Sequence, residues 1–329
     1  IMPWNFPFWQ TFRFAVPALL AGNVALLKPA PNVPQCGLAI ENLFEKAIGR
    51  KGVFQTLLLE VDIIEELLAH PFLAGVAFTG SDRAGSSVAA EAGRHLKKCV
   101  LELGGSDAFV VLQDADIEQA AATAVQSRMN NNGKTCIAAK RFIVEQAVAE
   151  PFREAVVHEI QSLRLGDPLH EDPDLSCLAR PDLAQNLQLQ VEETIRQGAS
   201  ILMDGGLLPH SATQYRPRRL TDIPKRCPAR MEELFGPVAC LFPVPDAEAA
   251  IRLANDTPYG LGAALWSRDL DRARHWARHL QAGAIAINGM VASDPRLPFG
   301  GVKRSGFGRE LGEEGIREFV NIKSLVVEK

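Results

Sequence analysis

The sequence has no large excess of charge of either sign, no CxxC pair and no long unbroken apolar run. Each absence removes a class of function. With 35 Lys and Arg against 39 Asp and Glu, the formal net charge is -4. That balance is too even for a nucleic-acid footprint or a polybasic membrane patch. The longest apolar run, FAVPALLAGNVALL, is broken by Pro17, Gly22 and Asn23 and is too short to span a bilayer. No charged segment precedes an apolar core at the N-terminus, so no signal peptide is expected. The six cysteines (Cys36, Cys99, Cys136, Cys177, Cys227, Cys240) are scattered, without a Cys or His partner at zinc-ligand spacing, so no metal site is expected. A chain of this length needs no disulfide framework, and the pattern suits a reducing, cytoplasmic compartment. Tandem repeats and low-complexity tracts are also missing. The chain starts at Ile1 rather than Met, and IMPWNF reads as the end of a strand entering a loop. The expectation is a fragment whose N-terminal part is missing.

What is present is core-forming material: 47% of 329 residues are hydrophobic, enough for one large domain or two of ordinary size. Short β-rich runs alternate with helix-like runs. NVALLK, FQTLLLE, AGVAFT and KKCVLEL read as strands, while the stretch opened by Pro34, VDIIEELLAH and DRAGSSVAAEAGRHL read as helices. After Gly104 and Gly105 the alternation restarts with DAFVVL, DIEQAAATAVQSRM and RFIVE, and continues through PVACLFPV, DAEAAIRLAN, GAALWS, DLDRARHWARHLQ and GAIAIN. Such alternation predicts α/β architecture, here two doubly wound lobes with parallel sheets that meet near residue 105. Residues 166–174 and 205–224 read as loop-rich. NIKSLVVEK reads as a terminal strand that needs a partner.

Several residues could carry chemistry. Cys136, in NNNGKTCIAAKR, follows a glycine-containing polar turn, and Lys134 and the turn's amides could favour its thiolate. From that turn alone, a small buried cysteine remains the simpler reading. Glu102 ends a predicted buried strand just before Gly-Gly, where α/β sheets present working groups, and could act as a general base. A strand-end glutamate reaching solvent explains it equally well. Asn5, between Trp4 and Phe6 in a proline-flanked aromatic stretch, could be a fixed oxyanion donor or a turn cap. In FTGSDRAG, Gly80 and Ser81 open a helix whose amides could meet phosphate. GLGAA at Gly260 leads into a strand, the wrong context for a dinucleotide fingerprint.

Taken in order, PWNFP, AGNVALLKPAP, FTGS, LELGG, NNNGKTC, EELFGPV, NDTPYGLGAALWS, AGAIAING and PFGGVKRSGFGRELG resemble the aldehyde dehydrogenase superfamily. The resemblance implies a Rossmann-like cofactor domain over 1–104, shortened at its N-terminus, and an α/β catalytic domain over 105–309. It also implies a C-terminal segment with an oligomerisation strand over 310–329. Cys136 would be the nucleophile, Glu102 the base, and Asn5 with the Cys136 backbone N–H the oxyanion hole. Trp4, Lys28, Gly80, Ser81, Glu233 and Phe235 would hold the cofactor, with Lys28 on the adenosine ribose and Glu233 on the nicotinamide ribose.

The family's ribose-binding glutamate is replaced by Pro31, so NADP should be tolerated and even preferred over NAD. Arg13 stands where succinate-semialdehyde dehydrogenases carry a carboxylate-binding arginine, and a guanidinium fork suits a carboxylate. A helix-surface arginine is the plainer alternative. Ser293 and Arg296 could add contacts, and Phe6, Trp9 and Phe299 would line an apolar tunnel. Lys134 replaces a common Gln, and Asn130 stands where some relatives carry a second arginine, with Arg128 two positions away. The reading is therefore NAD(P)-dependent oxidation of succinate semialdehyde through a cysteine thioester, in a homo-oligomer (dimer or tetramer) without nucleic-acid or membrane partners. The competing expectations are a non-catalytic remnant with an incomplete cofactor domain, and a cysteine hydrolase, which lacks an evident histidine partner.

Overall fold

The computed structural model describes residues 1–328 and divides into two compact units. The first comprises residues 1–103, 293–301 and 305 onward, and the second residues 104–292 and 302–304. Backbone pairing brings the late residues into the first unit: residues 306–307 join one of its strands, and Leu103 N–H donates to Ser305 O at 3.0 Å.

In the first unit, helix α1 (Pro7–Leu20) leads to β1 (Ala25–Leu27), α2 (Pro34–Ile48) and β2 (Phe54–Thr56). Then come α3 (Ile64–Ala69), β3 (Gly75–Thr79), α4 (Asp82–Arg94) and β4 (Lys98–Glu102). β1 pairs with β2 and β3 with β4, both in parallel. Residues 1 and 2 lie between the pairs, since Met2 N–H donates to Lys28 O and Thr79 N–H to Ile1 O, each at 3.1 Å. Pro34 occupies the first turn of α2, where its missing N–H costs nothing, and Ser81 caps α4 by accepting from the Ala84 N–H. Met2, Ala15, Ala25, Leu27, Ile40, Phe54, Ala77 and Val100 form one core, and Phe44 stacks on Phe54 beside it.

The second unit runs β5 (Asp107–Val111), α5 (Ile117–Met129), β6 (Ala139–Glu145), α6 (Gln146–Gln161), α7 (Pro181–Arg196) and β7 (Ser200–Met203). A small hairpin, β8 (Gly206–Leu207) with β9 (Tyr215–Arg216), precedes β10 (Arg218–Thr221) and α8 (Pro228–Met231). β11 (Val238–Val244), α9 (Ala247–Asn255), β12 (Gly262–Trp266), α10 (Leu270–Ala277) and β13 (Ala284–Ile287) complete it. The seven-stranded sheet has the order β13-β12-β5-β6-β11-β10-β7 and is parallel except for the β10–β7 edge.

Alternate residues of β5 serve opposite faces, as strand geometry requires. Ala108 and Val110 join the core under α7, α9 and α10, while Phe109 and Val111 join the one under α5 and α6. This is the α/β, doubly wound arrangement expected from the near-continuous apolar strands.

The chain returns to the first unit with β14 (Gly306–Phe307), antiparallel to β4, and α11 (Gly312–Arg317). In this single chain, NIKSLVVEK has no partner strand among the described residues. Ile322, Leu325, Val326 and Val327 are exposed and none of residues 321–328 is in a strand. A β pattern yields a strand only where a partner edge accepts its hydrogen bonds, and none does so among the described residues. Elements not read from the sequence include α1, α6, α7 and β7, and the 205–224 segment holds three short strands rather than loop alone.

Candidate active site

In the first unit, residues 4–6 bend into α1. Gln10, itself buried, donates from Nε2 to Asn5 Oδ1 at 3.1 Å, which makes the opposite, NH2 end the donor end of Asn5. Trp9 Nε1 donates to Ser293 Oγ at 2.6 Å, so two residues expected at the substrate meet directly. Arg13 is not on the helix surface: it is 3% exposed, with its guanidinium 4.5 Å above the Phe299 ring and Nε 2.8 Å from Glu310 Oε2. This is an ion pair without an aligned hydrogen bond, and Arg13 Nη2 is also buried without a hydrogen-bond partner. Phe299 is correspondingly covered, 3% exposed. Arg296 is exposed and engaged by Asp294 at 2.9 Å.

Glu102 ends β4 and is 2% exposed, so it does not reach solvent. Neither of its carboxylate oxygens has a hydrogen-bond partner. Burial pushes its carboxyl well above the usual carboxylate range, and the nearby Glu310 pushes it further, against the charges of Arg13 and Arg309. Burial likewise raises Glu310, opposed chiefly by Arg13. On the same unit, Lys28 is buried, and its Nζ donates to the Pro29 carbonyl at 3.5 Å. Gly80 N–H donates to Glu102 O, and Ser81 starts α4. Pro31 lies in an exposed turn.

In the second unit, the cysteine loop is shaped by three successive left-handed residues, Asn131 (φ 50), Asn132 (φ 56) and Gly133 (φ 73). Asparagine tolerates that region better than most residues, and glycine best. At Gly133 a Cβ would lie 2.5 Å from Gly236, so the glycine also permits close approach of two backbones. Asn132 Oδ1 accepts from the Ser176 N–H at 2.6 Å, and Lys134 Nζ donates to Cys177 O at 3.2 Å. Burial lowers the pKa of Lys134.

Arg128, fully buried, donates to the carbonyls of Val238 (2.6 Å), Leu234 (2.9 Å), Gly133 (3.4 Å) and Gly236. It thereby ties the cysteine loop to the segment that bears Glu233 and Phe235, and burial pushes it down to about 10, still protonated at neutral pH. Phe235 and Cys136 are both half-buried. Lys140 is 2% exposed and reaches Thr135 O (3.0 Å), Cys136 O (2.8 Å) and Glu233 Oε1 (3.0 Å).

Three of these residues were given no role by sequence reasoning: Arg128 as a clamp, Lys140 and Glu310. Lys140 carried a signal, since a lysine two residues ahead of the apolar run FIV cannot reach water if the whole strand is buried, as β6 is. Glu310 carried none beyond its place in GRELG.

Asp107, buried at the start of β5, adds a testable feature. Its Oδ1 accepts from Gly262 N–H at 3.0 Å and its Oδ2 has no hydrogen-bond partner. Burial pushes it up to about 7, opposed by Lys140 and then by the Gly262 bond. A raised folded-state value means the native state holds the proton more tightly than the unfolded chain. Its contribution is therefore complete below about pH 4 and is lost as pH rises through about 7. Asp107→Asn should flatten that fall, measured by denaturant unfolding across the interval. An unchanged slope would mean that Asp107 ionises as an ordinary carboxylate.

Comparison with known proteins places this architecture. The sequence profile of the aldehyde dehydrogenase family matches residues 1–325, and the chain belongs to that family. It is 52% identical over 325 residues to a probable succinate-semialdehyde dehydrogenase [NADP(+)] of Synechocystis sp., covering 99% of this chain and 72% of that protein. A succinate semialdehyde dehydrogenase [NAD(P)+] of Escherichia coli K12 is 47% identical, with 99% of this chain and 70% of that one covered. Among solved structures, succinic semialdehyde dehydrogenase from Streptococcus pyogenes, in complex with NADP+, superposes with a TM-score of 0.95 at 35% identity. That match covers 100% of this chain and 72% of that one. Among the described residues there is no cluster of metal-ligating side chains and no helix long and apolar enough to cross a membrane.

Proposed function

We propose that this chain oxidises a short aldehyde bearing a distal carboxylate, succinate semialdehyde foremost, to the acid, with NADP preferred over NAD. Cys136 attacks the aldehyde carbon, and Asn5 with the Cys136 backbone N–H stabilises the resulting oxyanion. When bound, the nicotinamide supplies the hydride acceptor. Loss of hydride from the thiohemiacetal carbon leaves a thioester on Cys136. Glu102 then takes a proton from water, the hydroxide adds to the thioester carbon, and the thiolate leaves.

The observation that carries this reading is Glu102, a buried carboxyl at a strand end with no hydrogen-bond partner for either oxygen. Buried polar groups in folded proteins are nearly always satisfied, so an uncommitted one points to a task such as accepting a proton. The groups assigned to the cofactor fit it chemically. The Lys28 ammonium has donors to spare, Ser81 starts a helix of 13 residues whose N-terminus suits a pyrophosphate, and Glu233 offers a carboxylate to a ribose. No carboxylate occupies position 31 to repel a 2′-phosphate.

Absorbance of reduced cofactor, followed with succinate semialdehyde and either NADP or NAD, tests the reading. Faster reduction with NADP is expected. Folded protein that neither binds NADP nor reduces it with any aldehyde would leave only the non-catalytic reading.

Arg13 supports the substrate assignment through its buried, unpartnered Nη2. A hydrogen bond to a charged group contributes about 1.5–3 kcal/mol, so its loss should raise KM for succinate semialdehyde ~10–100-fold. Arg13→Met alone would strand the buried Glu310, so the variant to measure is Arg13→Met with Glu310→Gln. KM for an uncharged aldehyde of the same length should hardly change. Equal effects on both aldehydes would remove Arg13 from substrate recognition.

A further inference from the structure

We propose that Lys140 is a positioning residue that locks the cysteine loop and Glu233 into one register, so that binding at Glu233 is felt at Cys136. The inference rests on the reading of Cys136 as nucleophile and Glu233 as a cofactor ligand. Its basis is the second unit alone. An ammonium has three N–H donors: Lys140 donates to Thr135 O at 3.0 Å and to Cys136 O at 2.8 Å, and its charge lies 3.0 Å from Glu233 Oε1 as an ion pair. No rotation of this group is free of cost, so its acceptors are held in fixed relation.

The charge also needs the carboxylate. Two carbonyl groups do not neutralise a buried ammonium, whereas an ion pair with Glu233 does. Lys140 is 2% exposed and the Glu233 side chain 18%, so the pair is shielded on the lysine side and open on the glutamate side. An open, charged carboxylate is what a ribose diol can reach.

Gly105 makes the third side of the cluster. Its N–H donates to Glu233 Oε1 at 3.2 Å, and a Cβ at this position would lie 2.6 Å from Cys136 O. The same glycine therefore lies against two of the three partners of Lys140, Glu233 and Cys136, and the strand-end loop, the cysteine loop and the glutamate segment close on one point. Arg128 joins the last two through backbone carbonyls alone, so Lys140 is the cation that reads the Glu233 side chain. Whatever moves that carboxylate pulls on the Cys136 peptide group.

The experiment compares Lys140→Met, Lys140→Arg and Glu233→Gln with the wild type. Two quantities are read: NADP affinity by calorimetry, and the rate of Cys136 alkylation by iodoacetamide with and without NADP. In the wild type, NADP should change the alkylation rate. Lys140→Met should weaken NADP binding about tenfold or more and abolish the cofactor's effect on alkylation, and Lys140→Arg should restore part of both.

Glu233→Gln, altered on the open side of the pair, keeps the experiment informative if Lys140→Met does not fold. It should remove the response of Cys136 alkylation to saturating NADP. Wild-type NADP affinity and an intact alkylation response in folded Lys140→Met, or an intact response in Glu233→Gln, would overturn the proposal. A wild-type protein whose alkylation at Cys136 leaves aldehyde oxidation unimpaired would instead overturn the underlying reading, and the proposal with it.

Discussion

Cys136→Ala is expected to lower aldehyde oxidation by at least ~10⁴-fold, equivalent to about 5 kcal/mol of lost transition-state stabilisation, while NADP binding persists. The reaction as proposed has no other group that can form the covalent intermediate. Of the five other cysteines, Cys227 and Cys240 belong to a hydrophobic core, Cys36 and Cys99 are half-buried, and Cys177 is exposed. Burial pushes the Cys240 thiol up to about 12 and the Cys99 thiol up to about 11, so neither is a thiolate at neutral pH. Cys136 belongs to none of the core clusters, and its peptide carbonyl is held by Lys140. The alanine variant should consequently melt within a few degrees of the wild type. Cys240→Ala is the complementary control, costing about 1 kcal/mol or more of stability by opening a small cavity while the chemistry survives. Substantial activity in folded Cys136→Ala would end the thioester mechanism for this chain.

Glu102→Gln should separate the two halves of the reaction. Hydride loss does not need the base, so a first turnover of reduced cofactor should appear as a burst. Hydrolysis of the thioester should then be slower by ~10²–10⁴-fold, the usual worth of a positioned general base. A steady state as fast as the wild type, or a burst lost together with turnover, would remove Glu102 from the water-activating step.

The wild-type pH profile follows from the same group. With its carboxyl held well above the ordinary range, first by burial and then by Glu310, thioester hydrolysis should rise with pH through a midpoint well above 4.5. Glu310→Gln removes a like charge and unmasks Arg13, and both effects move that midpoint down. Stability has the opposite sign. The native state holds the Glu102 proton more tightly than the unfolded chain, so this contribution is full at acid pH and declines as pH rises through the folded-state value. Glu102→Gln should abolish that decline.

Much of this was legible before any coordinates. Apolar runs with alternating helical stretches required strands covered on both faces, and the second unit has them in β5, β6, β11 and β12. The Glu102 strand end and the Cys136 turn were both identified from short local patterns, because glycine and asparagine mark positions that need unusual backbone. The helix α1 was not read, for a physical reason. It buries Gln10, Thr11, Arg13 and Pro17, so it lacks the apolar stripe by which helices announce themselves, and it contains an internal proline. β10 was missed on similar grounds: Arg219 in RRLT looks solvated, yet it is 1% exposed and donates to Arg153 O.

The C-terminal stretch carries a strand pattern with no partner edge among the described residues. NIKSLVVEK has the composition of a strand, but a strand is made by its neighbour as much as by itself. The sequence by itself determined the α/β alternation, the places where the backbone must turn on glycine, and the residue types available for chemistry. Tertiary structure alone decided which charges are paired in the interior: Arg13 with Glu310, Lys140 with Glu233, Arg128 with four carbonyls. The state of a buried charge depends on desolvation and on partners far along the chain, and neither is encoded in its local sequence.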